Sequence, residues 1–141
     1  MTDATRPVSP SPIELERLLG IADRDLTQAQ MGDLHLDTRF LLAYNAALQL
    51  ATIVLRLHGV RVRKAAFHAC TFAELKTRLP KDLRGVADYL DRARRKRNEA
   101  AYEQANVVSE SEVKDLIEQT RSFREWVLRK LREDGFDIVD R

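Results

Sequence analysis

The stretch FLLAYNAALQLATIVL, residues 40–55, constrains this chain more than any other. It is the longest run without a charged residue, at sixteen positions. Wound into a helix at about 100° per residue, Phe40, Leu41, Leu42, Ala43, Ala46, Ala47, Leu48, Leu50, Ile53, Val54 and Leu55 point in every direction. A helix that is apolar all round has to be buried all round. The run therefore predicts a central helix, opening at Asp37 and Thr38 and ending near Gly59, covered by other helices of the chain and by a second subunit. Asn45, Gln49 and Thr52 interrupt it, and it falls short of the roughly 20 apolar residues of a membrane span. It reads as core, with no membrane contact.

The covering elements should also be helical. Only 5 Gly and 4 Pro are present beside 44% hydrophobic and 33% charged residues, and Pro7, Pro10 and Pro12 lie at the start. So few breakers favour helices over strands. Residues 1–10 read as a disordered leader. Ser11, Pro12 and Glu14 then form a capping box with Pro at the first helical position. Leu15, Leu18, Leu19, Ala22 and Leu26 continue a helical stripe to about Met31. The basic stretch 60–69 reads as irregular. Thr71 and Glu74 cap a short third helix that Pro80 ends. A fourth helix is expected over about 81–102. Ser109 and Glu112 cap a last helix over about 110–133, with Val113, Leu116, Ile117, Phe123, Val127 and Leu131 at helical spacing and Trp126 on the flank. The expectation is an all-α, up-and-down four- to five-helix bundle over 11–134, with a C-terminal tail 135–141.

Other features narrow the function. A formal net charge of +2 is too small to signal nucleic-acid binding by itself. Cys70 stands alone, which excludes an internal disulfide and a cysteine-rich metal site; it reads as a small apolar filler. His35, His58 and His68 include no pair at metal-ligand spacing, so no metal and no cofactor are expected. His58 suits a cation at a helix C-terminus. The first residues carry no apolar signal segment, and the expected location is cytoplasmic.

The distinctive segment is RARRKRNEAAYE, residues 92–103. Leu83, Val86, Ala87 and Leu90 set an inward stripe whose continuation reaches Arg94, Arg97 and Ala101, while Arg92 and Arg95 point elsewhere. An unpaired buried charge costs several kcal/mol. Either the arginines pair with an acid such as Asp88, Asp91 or Glu118, or the helix end protrudes, or they line a cleft that takes an anion. Arg94, Arg95, Lys96 and Arg97 are the candidate nucleic-acid-binding residues.

The segment Arg97-Asn98-Glu99-Ala100-Ala101-Tyr102 resembles the Arg-Asn-x-x-x-His signature of the HEPN superfamily (higher eukaryotes and prokaryotes nucleotide-binding domains). The resemblance extends over about 11–133 through the Ser-Pro leader, RFLLAYNAALQLA at 39–51, and Gly59 with its basic turn. It is strongest to a bacterial group carrying RRKRN…Y in this place. It implies a HEPN bundle that forms a homodimer with its motif helices near the twofold axis. It also implies kinship with metal-independent endoribonucleases of toxin–antitoxin, defence and CRISPR systems. By this resemblance Arg97 holds RNA or nucleotide phosphate, Asn98 supports it, and Arg97, Asn98 and Tyr102 make up the catalytic set. Tyr102 replaces the family's His. Tyrosine titrates near about 10 and histidine near about 6.5, so cleavage is expected to be weak or absent while phosphate binding persists. The alternative is a non-catalytic interaction module, an antitoxin or adaptor for a partner protein of the same operon such as a nucleotidyltransferase. A third reading is an active ribonuclease that uses Tyr102 or His68 in a changed geometry.

Overall fold

The computed structural model describes residues 5–63, 67–100 and 106–138. In chain order they form β1 (Thr5–Pro7), α1 (Pro12–Ala29), α2 (Leu36–Leu57), β2 (Val60–Val62), α3 (Phe67–Arg78), a single 3-10 turn (Lys81–Leu83), α4 (Arg84–Asn98) and α5 (Glu110–Glu133). The fold is an all-α bundle with one two-stranded ribbon. Helix α2 is its axis and packs against α1, α3, α4 and α5. Ala43, Ala46, Ala47, Leu50, Ala51, Ile53 and Val54 are sealed inside it. Leu15 and Leu19 of α1 join the same core, as do Phe72 and Leu75 of α3, Ala87 and Leu90 of α4, and Leu116 and Val127 of α5. At 22 residues α2 is long and apolar enough to cross a membrane, yet 72% of its most apolar window is buried inside the bundle.

One side of α2 departs from the all-round burial its composition suggests. Thr38 is exposed, and Leu41, Leu42, Asn45 and Gln49 are only half-buried. Their spacing of three and four puts them on one stripe, which the described helices cover only in part.

Several local expectations change. The leader is not irregular throughout: β1 pairs antiparallel with β2 in the register Thr5↔Val62, Arg6↔Arg61, Pro7↔Val60. Val60 and Val62 bury with Leu55, and the Val8 amide donates to the Gly59 carbonyl at 3.0 Å. Gly59 ends α2 with φ 73°, a conformation glycine adopts without a Cβ penalty. Helix α3 starts at Phe67, earlier than expected. Thr71 does not cap it; its hydroxyl donates to the Phe67 carbonyl at 2.6 Å, one turn back inside the helix. His68 is therefore helical and not part of a basic loop. The α-helical part of α4 ends at Asn98, and the chain continues as a π-helical turn through Glu99 and Ala100; of the expected continuation to Tyr102, only residues 101 and 102 lie outside the described residues.

The helix starts divide by what their side chains can reach. In α5, Ser109 and Glu112 form the complete capping box. In α1, Ser11 accepts from the Glu14 amide at 3.3 Å, but the Glu14 carboxylate leaves the box. It accepts instead from Arg56 Nε at 2.9 Å and Arg61 Nη2 at 3.0 Å. Helix α2 starts at Leu36, one residue before the expected Asp37, and is capped by His35, whose Nδ1 accepts from the Asp37 amide at 3.2 Å. Its Nε2 lies 2.7 Å from Asn106 Oδ1, and the Asn106 amide donates to Asp37 Oδ2 at 2.8 Å. The start of α2 is thereby clamped to the segment leading into α5. His58 closes α2 at the other end. Burial, then the charges of Lys130 and Arg78, hold its pKa below the ordinary value, so it does not serve as the expected terminal cation.

Candidate functional site

The cations of 92–97 separate once α4 is in place. Ala87, Leu90 and Ala93 are the buried residues of this helix, so the inward line passes through Ala93, one position before Arg94. Arg92 lies over the Tyr89 ring, its Cζ 5.8 Å from the centroid. Asp91 takes both Arg94 Nε at 2.8 Å and Arg95 Nη2 at 2.9 Å. The Arg94 hydrogen bond is the main cause that holds the Asp91 carboxyl below its ordinary value. Lys96 reaches the other way, to Glu112 of α5 at 3.5 Å. It borders a hollow of about 320 Å³ between α2, α4 and α5. Of the expected binding set, Arg95 and Lys96 thus point away from Arg97.

Arg97, near the end of α4, lines a larger cleft of about 560 Å³. Arg24 and Asp25 of α1, Thr38, Leu41, Leu42, Tyr44 and Asn45 of α2, and His68 of α3 form the rest of its wall. The half-buried stripe of α2 is its floor. Arg97 Cζ lies 5.8 Å from the centre of the Tyr44 ring, within reach of a cation–π interaction. Its Nη1 donates to Asn98 Oδ1 at 3.1 Å, which restrains the guanidinium.

Tyr44 is the polar residue that the oily helix carries into this cleft. Its ring is buried and meets Phe72 edge-on at 5.9 Å. Its hydroxyl lies 2.8 Å from His68 Nδ1, with the two rings 14° from parallel. Burial pushes the phenol pKa well up, although Arg97 and Arg94 pull it down, so Tyr44 stays protonated. His68 shifts in the opposite sense. Burial first, then the charges of Arg97 and Arg94, hold it below its ordinary value. Cations and a dry wall both disfavour the imidazolium, and the ring is neutral at neutral pH.

The α1 side of the cleft carries a buried carboxylate. Asp25 accepts from Arg24 Nε at 3.0 Å and from Asn45 Nδ2. Gln49 in turn donates to Asn45 Oδ1 at 3.4 Å. Asn45 therefore braces α1 on α2, and the negative charge of Asp25 is compensated locally.

The cleft combines a restrained guanidinium, a second arginine, a neutral imidazole and a protonated phenol. That set can hold a phosphate oxygen, donate hydrogen bonds and exchange a proton. Of the expected site residues, Arg97 and Asn98 stand together here. Arg94 contributes its charge from its seat on Asp91. Tyr102 lies outside the described residues. His68, Tyr44 and the Asp25–Asn45 pair are the contributors that sequence alone did not assemble. Tyr44 carried a signal, as a phenol in a buried helix, but nothing local tied it to a histidine twenty-four positions on. Among the described residues no group of three or more His, Cys, Asp or Glu converges in a way that could hold a metal ion.

The family model described as the HEPN domain matches residues 15–131. No curated protein and no solved structure matches the chain significantly.

Proposed function

The chain belongs to the HEPN domain family, and on that premise we propose that the Arg97 cleft binds the phosphate backbone of RNA or a nucleotide. The family is nucleotide-binding or ribonuclease-like. The observation that carries the reading is the position of Arg97: its guanidinium, steadied by Asn98 and set over Tyr44, forms part of the wall of a cleft of about 560 Å³. A guanidinium there offers paired donors to phosphate oxygens, and the Tyr44 and His68 rings border the same space. Arg24 adds a second cation. In this reading the protein acts as a homodimer in the cytoplasm, as part of a toxin–antitoxin or defence system. The test is fluorescence anisotropy with a labelled single-stranded RNA over a salt series. Arg97→Ala should weaken binding by about tenfold and lower the slope of log K against log salt by about 1. Equal affinity and equal slope for both proteins overturn the reading.

A second reading draws on Asp91 and Glu112. They take up Arg94, Arg95 and Lys96, as expected of a protein-interaction module, an antitoxin or adaptor for a partner such as a nucleotidyltransferase. On that reading no RNA binds, and purification from the native cell recovers a partner protein without nucleic acid.

A further inference from the structure

We propose that the outer face of α1 and the β1–β2 ribbon form a second phosphate-binding track, which takes a single-stranded RNA onward from the Arg97 cleft. The inference rests on the phosphate-binding reading and extends it from one cleft to a longer strand. What carries it is a set of arginines that the fold collects without neutralising. In the ribbon, Arg6 and Arg61 stand directly opposite each other, and cross-strand partners share a face. Thr5, Val60 and Val62 are buried on the other face. Like charges directly opposite destabilise a ribbon, so packing alone gives no reason for this pair. Arg63 follows directly after β2 and is exposed.

Glu14 is the carboxylate that answers this group. It accepts from Arg56 and Arg61 and lies 3.7 Å from Arg17, whose side chain stays largely exposed. Burial, then the charge of Arg61 and last that of Arg6, hold Arg56 below its ordinary value against the pull of Glu14. Among the described residues no acid pairs with Arg6 or Arg63. Arg56 and Arg61 are thus spent on the fold, while Arg6, Arg17 and Arg63 keep donors facing water.

Helix α1 carries the line on to the cleft. At about 100° per residue, Ile13, Arg17, Gly20 and Arg24 fall on its outermost line, opposite the buried Leu15, Leu18, Leu19 and Ala22. Arg17 and Arg24 are seven residues apart, about 10 Å along the axis. Gly20 between them leaves open space, so a strand can lie close to the helix there. Arg24 is largely exposed and also lines the Arg97 cleft. The acids of α1 are occupied or turned aside. Asp25 is buried against Arg24 and Asn45. Asp23 lies on the α5 flank, held by Arg124, and Glu16 falls on that same flank by helical geometry. The face favours a polyanion over a folded protein, because a protein footprint needs an apolar centre. Among the described residues of this face, Ile13 at 82% exposure is the exposed large apolar side chain.

The test is anisotropy over a salt series with the full chain and two labelled oligouridylates. One has about four nucleotides, enough for the cleft, and the other about sixteen, enough for cleft and track. The first variant combines Arg6→Gln, Arg17→Gln and Arg63→Gln, all at exposed positions. It should bind the long RNA about tenfold more weakly, with the slope of log K against log salt smaller by about 2, and keep the short RNA within about twofold of wild type. The second variant combines Lys114→Gln, Arg129→Gln and Arg132→Gln, which removes the same charge from exposed positions of α5; it should bind both RNAs as wild type does. Should the first variant lose its helical circular dichroism, Arg17→Gln alone carries the comparison, with a slope change of about 0.7. A first variant with the wild-type slope on the long RNA, or equal losses in the two variants, overturns the track and leaves the cleft reading standing. Poly-glutamate that binds wild type as tightly as the long RNA, and is lost in the first variant, assigns the face to an acidic protein and likewise overturns the track alone. Wild type that binds neither RNA overturns both.

Discussion

Replacing Glu14 with Ala distinguishes a helix cap from a buried ion pair. Sequence pattern gives Glu14 the role of closing a capping box; the structure gives it Arg56 and Arg61. Only 6% of the Arg56 side chain and 17% of the Glu14 side chain are exposed. Without the carboxylate, the Arg56 guanidinium keeps, among the described residues, the Val60 carbonyl at 3.1 Å. Removing one partner of a fully buried pair costs about 3–5 kcal/mol. Glu14 sits at the edge, and Arg61 is itself about one-third exposed, so the low end applies, about 3 kcal/mol. A lost cap alone would cost about 1 kcal/mol. In a domain of this size about 3 kcal/mol lowers Tm by roughly 10 °C, readily seen in a circular dichroism melt. The decisive measurement is a double-mutant cycle with Arg56→Met. Glu14→Ala should cost much less in the Met background, with a coupling of about 2 kcal/mol. The acid dependence has a fixed sign. Burial pushes the Glu14 carboxyl up, but the hydrogen bonds and charges of Arg56 and Arg61 outweigh it and hold it below its ordinary value. Its stabilisation is therefore present above the unfolded pKa and lost as pH falls through the folded one, and the gap between wild type and Glu14→Ala should narrow in acid. A loss below about 1 kcal/mol, unchanged by Arg56→Met, would refute the buried-pair account and return Glu14 to the cap.

Two further outcomes follow from the geometry. Arg97→Gln should raise the His68 pKa, followed by its ring resonances in a two-dimensional NMR titration; burial and Arg94 still oppose protonation, so recovery toward the ordinary value is partial. The depressed folded pKa makes wild type lose stability as pH falls through the unfolded value, about 6.5, and Arg97→Gln should soften that loss. His35→Ala removes both the α2 cap and the bond to Asn106 and should cost about 1 kcal/mol in a thermal melt, with faster amide exchange at Asn106.

What was legible in the sequence was mostly what local physics decides. Helix α5 runs where Ser109 and Glu112 say it starts, because both halves of that box are satisfied by residues three apart. Ser11 likewise marks α1. The same four-residue spelling misled at Thr71 and Glu74, since a threonine hydroxyl can also donate back one turn within a helix and here does so. The β1–β2 ribbon was illegible because its stability comes from partners about 55 residues away in sequence, not from any local alternation. On α4 the wheel identified a seam interrupted by cations. It misplaced the line slightly, and Arg94 turned out to rest on its own helix neighbour Asp91. Arg97 was legible as an intruder on an apolar stripe. His68 was named only as one option for an active ribonuclease, and its place beside Arg97 was not legible, because that depends on Tyr44 arriving from another helix.

That dependence runs in both directions. A phenol hydroxyl inside a core has to be hydrogen-bonded, and Tyr44 satisfies its own by reaching outward to His68. The imidazole is fixed in turn by a ring that the hydrophobic core already holds still. The site is thus built from a core residue's need for a partner, and the partner is placed on the side where the wall gives way to the cleft. Because that cleft is bordered by exposed Arg24 and Thr38, water can take the place of Nδ1 when His68 is removed. His68→Ala should therefore cost the bundle one exchangeable hydrogen bond, a net change of about 1 kcal/mol in a thermal melt, and a loss several times larger would refute the exchange with solvent.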